Sequence, residues 1–454
     1  MLGGVTISSI HKFVSDYAQS GVSRFHMPGH KGNCPGLNFL GGLHDITEVE
    51  GADVLFSADG IIAQTEQALT HLYDCTTVLS AGGSTLCIQA MLTLVARRGG
   101  RLLAGRNAHL ALINACALLG IDPLWIYPDY NSQTGLPDQL NFQQIQEQLL
   151  KHPDVRTVYL TSPDYLGQMA DIQQIADLCH SQGAWLIVDN AHGAHLKFTP
   201  EDLHPITLGA DLCCSSAHKT LPALTGGAFL HAKHHTPQQL KSAMALFGST
   251  SPSYLILESL DLCTDYLAEQ AKQDFSALWE QWEELARAAE DAGLGVLRGG
   301  DRTKLSLDAF AAGIKGSQLA SLLREHKIEP EYVSRRTVVL MLSPFNTALD
   351  HNRLLCALDA VRSRTTQLRN RGEFTPIEEQ SATFCYPEQH LSPRQALLSP
   401  CVTLPLAETA GRICAENKIV CPPGVPILVA GELVTDSALQ LLKNSGIRTL
   451  NVVK

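Results

Sequence analysis

Two periods of apolar residues alternate along much of this chain. Between about residues 61 and 235, stretches with apolar side chains every three or four positions are separated by short, almost wholly apolar runs. The first kind predicts helices over 61–73, from the turn at 81–85 to 98, and over 109–120, 142–152 and 172–181. Gly99-Gly100, Gly120 and Gly183 close three of them. The second kind predicts strands over 76–80, 101–105, 124–127, 155–161, 185–188, 211–215 and 228–231. Strands alternating with helices of ten residues or more imply a mostly parallel sheet covered on both faces. In such sheets ligands bind outside the carboxyl ends of the strands.

The pattern changes on either side of that region. Residues 1–60 read as an N-terminal arm with a short helix over 7–17 and an irregular path at Pro28, Gly29 and Gly32. From 237 to 292 the chain is helical almost throughout. Leu255, Leu262 and Tyr266, then Leu278, Trp282 and Leu285, make apolar stripes for a core or a subunit interface. The major domain therefore spans 61–292. A second, smaller α/β unit follows over 293–365, with strands at 303–309 and 338–342 and helices at 317–326 and 352–364. Residues 366–390 read as a linker, and 391–454 as a last small unit.

Composition narrows the class. With 454 residues the chain has room for a large core, and 45% hydrophobic with 17% charged residues is a globular balance. No apolar run is long enough to span a membrane, and the first residues lack the basic-then-apolar pattern of a signal peptide, so a cytoplasmic protein is expected. The net charge of −11, with no Lys/Arg cluster, argues against nucleic acid and is compatible with a cationic substrate. Thirteen cysteines are scattered without a CxxC pair, which reads as free thiols in a reducing compartment. No Cys/His grouping has metal-ligand spacing, so no metal is expected.

Candidate chemistry gathers at strand ends. Asp211–Gly227 reads as a buried strand ending in a polar turn with Lys219, preceded by His218, Ser216 and Ser215 and followed by Gly226-Gly227. A desolvated lysine beside small hydroxyls and glycines suits covalent attachment of a phosphorylated aldehyde cofactor; a solvated loop lysine is the plain alternative. Gly82-Gly83-Ser84-Thr85 opens a helix, where free N–H groups favour a phosphate or form an ordinary cap. Asp189 ends a buried strand, with His192 just after it; the carboxylate either holds a proton on a pyridine nitrogen or caps a helix. His109 follows another strand and either stacks on a cofactor ring or is structural. A Gly-Ser-Thr turn, a strand-end Asp and a strand-end Lys in this order form the arrangement of fold-type I pyridoxal-phosphate enzymes, the aspartate-aminotransferase-like α/β fold.

The whole chain resembles the bacterial Orn/Lys/Arg decarboxylase family. The resemblance is carried by Arg24-Phe-His-Met-Pro-Gly-His-Lys-Gly32, Asp45-Ile-Thr-Glu48, Ser216-Ala-His-Lys219, Ser249-Thr-Ser-Pro-Ser-Tyr254 and Pro422-Pro-Gly-Val-Pro426. It is similar to the short biosynthetic members, without a receiver-like N-terminal domain. The resemblance implies pyridoxal 5'-phosphate carried on Lys219, with Asp189 at the pyridine nitrogen and His109 on the ring. Ser84, Thr85, His192, Ser216 and His218 would surround the cofactor. Thr250, within Ser249–Ser251, would approach it from a neighbouring subunit of a homodimer or a dimer of dimers. Glu408, Asp45 and Glu48 are candidates for the acid that meets the substrate's distal cation. Cys421 stands where the family carries an aromatic, Thr220-Leu-Pro where leucines are common, and Gly226-Gly227 where bulkier residues occur; these departures bear on substrate preference. The implied reaction is α-decarboxylation of arginine or lysine, or of ornithine, for polyamine biosynthesis. An aminotransferase or another lyase on the same fold is the alternative, although no Arg follows Lys219 within Thr220–Gly227. A non-catalytic relative is the third reading.

Overall fold

The computed structural model describes residues 8–24, 27–28, 31, 33, 40–131, 136–371, 386–419 and 426–454. Its centre is a seven-stranded sheet. In chain order the strands are β1 (Thr76–Ser80), β2 (Arg101–Gly105), β3 (Leu124–Ile126), β4 (Val155–Thr161), β5 (Trp185–Asp189), β6 (Leu212–Ser215) and β7 (Ala228–Ala232). They lie side by side as β1-β7-β6-β5-β4-β2-β3. The pairs from β6 through β3 are parallel, whereas β7 is antiparallel to both β6 and β1. The carboxyl ends of β4, β5 and β6, and the turn after β2, therefore meet along one edge.

Each strand buries both faces, which is why these runs are apolar throughout. Leu103, Val158, Leu160, Leu186, Val188 and Cys213 pack into one hydrophobic cluster. Leu102, Ala104, Tyr159, Ile187, Leu212 and Cys214 pack into another. The split follows the two-residue alternation of a strand, so the adjacent Cys213 and Cys214 face opposite ways. Helix α1 (Ser9–Gln19) of the arm lies against α9 (Tyr254–Glu269), where Asp261 accepts from the His11 N–H at 2.9 Å. The stretch expected to be helical from 237 is interrupted at 245–253, between α8 (Pro237–Met244) and α9; α10 (Ala271–Asp291) then runs on.

Spacing along the chain leaves one grouping of ligand-type side chains unseen. His204, Cys213 and His231 converge, their ligand atoms lying within 4.8 Å of one another and all three buried. Spacing along the chain conceals this, because Cys213 and His231 are register partners on antiparallel β6 and β7. The cluster behaves as a neutral hydrogen-bonded group. His231 lies 3.0 Å from Thr77 Oγ1 through Nδ1 and 3.2 Å from Ser215 Oγ through Nε2. Burial presses the His204 pKa down to about 3 and pushes the Cys213 thiol up.

The second unit is an antiparallel sheet, β8-β9-β11-β10, of β8 (Gly295–Leu297), β9 (Lys304–Asp308), β10 (Tyr332–Val333) and β11 (Thr337–Met341). Helices α11 (Gly316–Glu325) and α12 (Ala348–Asn370) cover it with α10. Helix α12 starts in a Thr347–Asp350 capping box and continues past 365 into the stretch read as a linker. The last unit pairs β12 (Cys401–Pro405) with the terminal strand Thr449–Val453 around Cys414, Leu428, Leu442 and Leu450. It is seated on the major sheet through polar joints. Arg106 and Glu432, both wholly buried, form a two-bond pair at 2.6 and 2.7 Å, and Arg106 also donates to the Pro426 carbonyl. Trp125 Nε1 donates to Gln389 at 2.8 Å, and Arg394 donates to the Ala117 carbonyl at 2.9 Å. No helix among the described residues is long and apolar enough to cross a membrane.

Candidate active site

A cavity of about 260 Å³ opens at the carboxyl edge of the sheet. Its wall includes Gly83, Ser84 and Thr85 from the start of α3 (Gly83–Arg98), and His109 from the turn after β2. Thr161 and Asp189 come from the ends of β4 and β5, His192 from the turn beyond Asp189, and Ser216, His218 and Lys219 from the segment after β6. Eight residues expected from sequence around a cofactor are thus brought to one space: Ser84, Thr85, His109, Asp189, His192, Ser216, His218 and Lys219.

One end is built to receive an anion. Gly83 adopts φ +66°, which a residue with a side chain disfavours, and its N–H donates to the Gly226 carbonyl at 2.7 Å. That contact fixes the entry to α3, whose first-turn N–H groups have no intrahelical acceptors. Ser84 Oγ and Ser216 Oγ lie 2.7 Å apart, both buried. His218 is turned by the contact of its Nδ1 with the Gly227 carbonyl at 3.0 Å. Hydroxyls at a helix N-terminus are the donor set a phosphate needs.

The middle holds the titratable groups. Asp189 is 2% exposed and forms no salt bridge among the described residues. Its carboxylate accepts from the Ala191 N–H at 3.1 Å and the Tyr159 hydroxyl at 3.3 Å. An enclosed carboxylate without a cationic partner is costly, so a ligand N–H⁺ there is favoured. Thr161, its register partner on β4, has a buried hydroxyl without a partner. Lys219 sits in a single turn of helix, Ala217–Thr220, with Nζ 2.9 Å from His192 Nε2. Lys219 is exposed to the open cavity, with its amine turned towards His192. Desolvation by the groups around the amine lowers its pKa, Asp189 opposes that, and the Lys304 ammonium adds to it. Burial, then the charges of Lys219 and Lys304, hold His192 well below the usual imidazole range. His192 is therefore neutral, and its Nε2 shares a hydrogen bond with the amine; its Nδ1 is buried without a partner. His109 caps α4 (Leu110–Leu119), its Nδ1 accepting from the Ala111 N–H at 3.2 Å, and burial lowers its pKa too.

These features fit pyridoxal phosphate. The hydroxyl-lined helix start suits the phosphate, the unpaired Asp189 suits a protonated pyridine nitrogen, and the orphan Thr161 Oγ1 and His192 Nδ1 are polar atoms for ring substituents to meet.

The mouth carries residues that the sequence does not single out. Asp164, Tyr165 and Leu166 line the cavity from the turn after β4. Burial raises the Asp164 pKa to about 6 against its hydrogen bonds from the Leu166 and Gln168 N–H groups. The Tyr165 ring stands edge-on to His192 at 5.2 Å, and its hydroxyl donates to Glu331 Oε1 from the second unit. The end of β4 at Ser162-Pro163 could have flagged 164–166, because it lies on the ligand-binding edge. Nothing local marks Glu331. The acids expected from sequence lie elsewhere. Asp45 and Glu48 are half-buried in the arm, Glu408 is exposed on the 406–408 turn, and none lines the cavity. Thr250 is exposed outside the cavity, although Ser249 shares a neighbouring cleft with Gly82 and Thr85. Cys421 and residues 422–425 lie outside the described residues, as do Phe25, His26, Gly29, His30 and Gly32.

Residues 9–292 match the family model for the Orn/Lys/Arg decarboxylase major domain, and 379–445 match the model for the family's C-terminal domain. The chain is 28% identical over 449 residues to arginine decarboxylase of Bacillus subtilis (strain 168), covering 92% of this chain and 89% of that one. It is 28% identical over 479 residues to arginine decarboxylase of Halalkalibacterium halodurans, covering 96% of each. In structure it resembles the Francisella novicida lysine decarboxylase, with a TM-score of 0.78 at 18% identity, covering 99% of this chain and 81% of that one.

Proposed function

The chain belongs to the Orn/Lys/Arg decarboxylase family, a pyridoxal-phosphate-dependent carboxy-lyase of basic amino acids, and we propose that it acts on arginine, releasing CO2 and agmatine. The choice of arginine is supported by the relatives that match over nearly their full length. Lysine and ornithine are the competing substrates.

The observation that carries the assignment of roles is the 2.9 Å contact between Lys219 Nζ and a neutral His192, inside a cavity with an anion-binding start at one end and Asp189 unpaired beside it. Bound pyridoxal phosphate would supply the electron sink that takes up the pair left by the departing carboxylate. Ser84, Thr85, Ser216 and the first turn of α3 would hold its phosphate, with His218 alongside. Asp189 would keep a proton on its pyridine nitrogen, and His109 would face its ring. Lys219 would carry it covalently, its lowered pKa leaving the amine free to attack, with His192 hydrogen-bonded to that amine. Glu331, exposed and hydrogen-bonded to the cavity-lining Tyr165, would meet the guanidinium of the substrate at the mouth.

We also infer a homodimer in which the exposed Ser249–Ser251 turn serves the other subunit's cofactor. The exposure of Ser249, Thr250 and Ser251 at a cleft outside the cavity supports this. The ten cysteines described as free, eight of them buried, support a reducing, cytoplasmic setting. The test is direct: Lys219→Ala should form no product from any of the three amino acids, and product formation at the wild-type rate would refute the assignment of Lys219.

A further inference from the structure

We propose that Lys304 is a positioning residue of the active site: clamped by Asp301, it holds the turn that carries His192, the partner of Lys219, and places a positive charge at that turn. Lys304 opens β9 of the second unit and is 1% exposed. Its Nζ donates to the His192 carbonyl at 2.9 Å and to Thr303 Oγ1 at 3.2 Å, and it forms a salt bridge with Asp301. Asp301 is itself fully engaged. Its Oδ1 accepts from the Thr303 N–H at 2.9 Å and lies 3.0 Å from His195 Nε2, and the His195 ring packs on Phe275 at 5.2 Å. The pair therefore ties β9 to both ends of the 192–195 turn.

The same strand grips the mouth. A Cβ at Gly167 would stand 3.1 Å from the Asp301 carbonyl and 3.2 Å from Lys304 Cβ, so backbone packs directly on the clamp. Ser306 Oγ donates to the Leu166 carbonyl at 2.9 Å. A buried ion pair is an expensive joint, since well-packed apolar residues of similar volume are often as stable or more so. What an apolar joint lacks is the charge. The ionisable groups facing Lys304 are Asp301 and His195 on the clamp, His192 and Lys219 at the reacting centre, and Asp164 on the neighbouring turn. Asp189, Cys214, Glu331 and His109 also act on Lys219. Among these, the Lys304 ammonium disfavours a second charge on Lys219 and on His192, while Asp189 and Asp301 act against it.

The inference rests on Lys219 being the cofactor lysine, and the experiment reads the two claims separately. The full chain, with and without cofactor, is treated with an amine-directed acylating reagent across a range of pH, and modification of Lys219 is followed by peptide mass spectrometry. Protection of Lys219 in the cofactor-loaded wild type establishes its role; equal labelling with and without cofactor refutes that role alone. In the cofactor-free chain, Lys304→Met should raise the midpoint for Lys219 labelling, cutting modification at a fixed pH below that midpoint roughly threefold or more. Asp301→Asn strips the counter-ion from the buried Lys304 amine, which then loses its proton, so it should raise the midpoint as Lys304→Met does; Lys304→Arg should leave it near the wild type. A loosened fold would move Lys304→Arg along with the two neutral variants. An unmoved midpoint in Lys304→Met, or a Lys304→Arg midpoint that moves with it, overturns the proposal. If Lys304→Met does not fold, the contrast between Asp301→Asn and Lys304→Arg decides it.

Discussion

The two ends of the cavity are built differently. The cofactor end is made of strand termini and one helix start, all belonging to the sheet: Thr161 and Asp189 are register partners, and Ser84 and Ser216 touch across neighbouring elements. The mouth is made of turns brought together by docking of the second unit, with Glu331 meeting Tyr165 and Lys304 meeting the His192 carbonyl. The difference teaches where precision comes from. The groups assigned to the ring sit on the sheet, the most rigid part of the fold, and those assigned to the substrate side chain sit on an interface.

The largest effect should come from the cofactor end. Lys219→Ala should lower turnover by roughly a thousandfold or more, measured as CO2 release, because covalent attachment and proton handling are lost together. The joint behind that end comes next. Glu432→Ala leaves Arg106 wholly buried and unpaired and should cost about 3–5 kcal/mol of stability in denaturant unfolding. A loss below about 1 kcal/mol would mean that the C-terminal unit is not anchored through this pair.

Substitutions at the mouth should be milder and selective. Glu331→Gln removes a charged hydrogen bond of about 1.5–3 kcal/mol and should raise KM for arginine about 10- to 100-fold, with a smaller change in kcat. Equal losses in kcat and kcat/KM would instead place Glu331 in the chemistry. The smallest effect concerns pH. The folded pKa of Asp164, about 6, lies above its ordinary 3.8. The folded state therefore binds this proton more tightly than the unfolded chain does. The stabilisation is complete below about pH 4 and is lost as pH rises through 6. Asp164→Asn should remove that slope and gain stability relative to wild type as pH rises through those values. Parallel stability curves for the two proteins would contradict the assignment.

The same contrast explains what could be read from the sequence. The parallel sheet was legible because its strands bury both faces and so appear as unbroken apolar runs. The cofactor end was legible because parallel strands deliver their carboxyl ends to one edge, so Asp189, His109 and Lys219 need only their order along the chain. Glu331 was not, because nothing local tells that β10 will dock beside Tyr165. The buried Lys304 carried no signal for the same reason, since a lysine opening a strand looks solvated until Asp301 and the His192 carbonyl close over it. The His204–Cys213–His231 cluster was hidden by antiparallel register, which spacing along the chain does not reveal.

The central claim is decarboxylation of arginine at Lys219, and product analysis tests it most directly. The purified, cofactor-loaded protein is incubated separately with arginine, lysine and ornithine, CO2 is quantified and the amine identified. The account predicts agmatine from arginine at the highest kcat/KM and none from Lys219→Ala. Release of CO2 from none of the three, or a clear preference for lysine or ornithine, would contradict it.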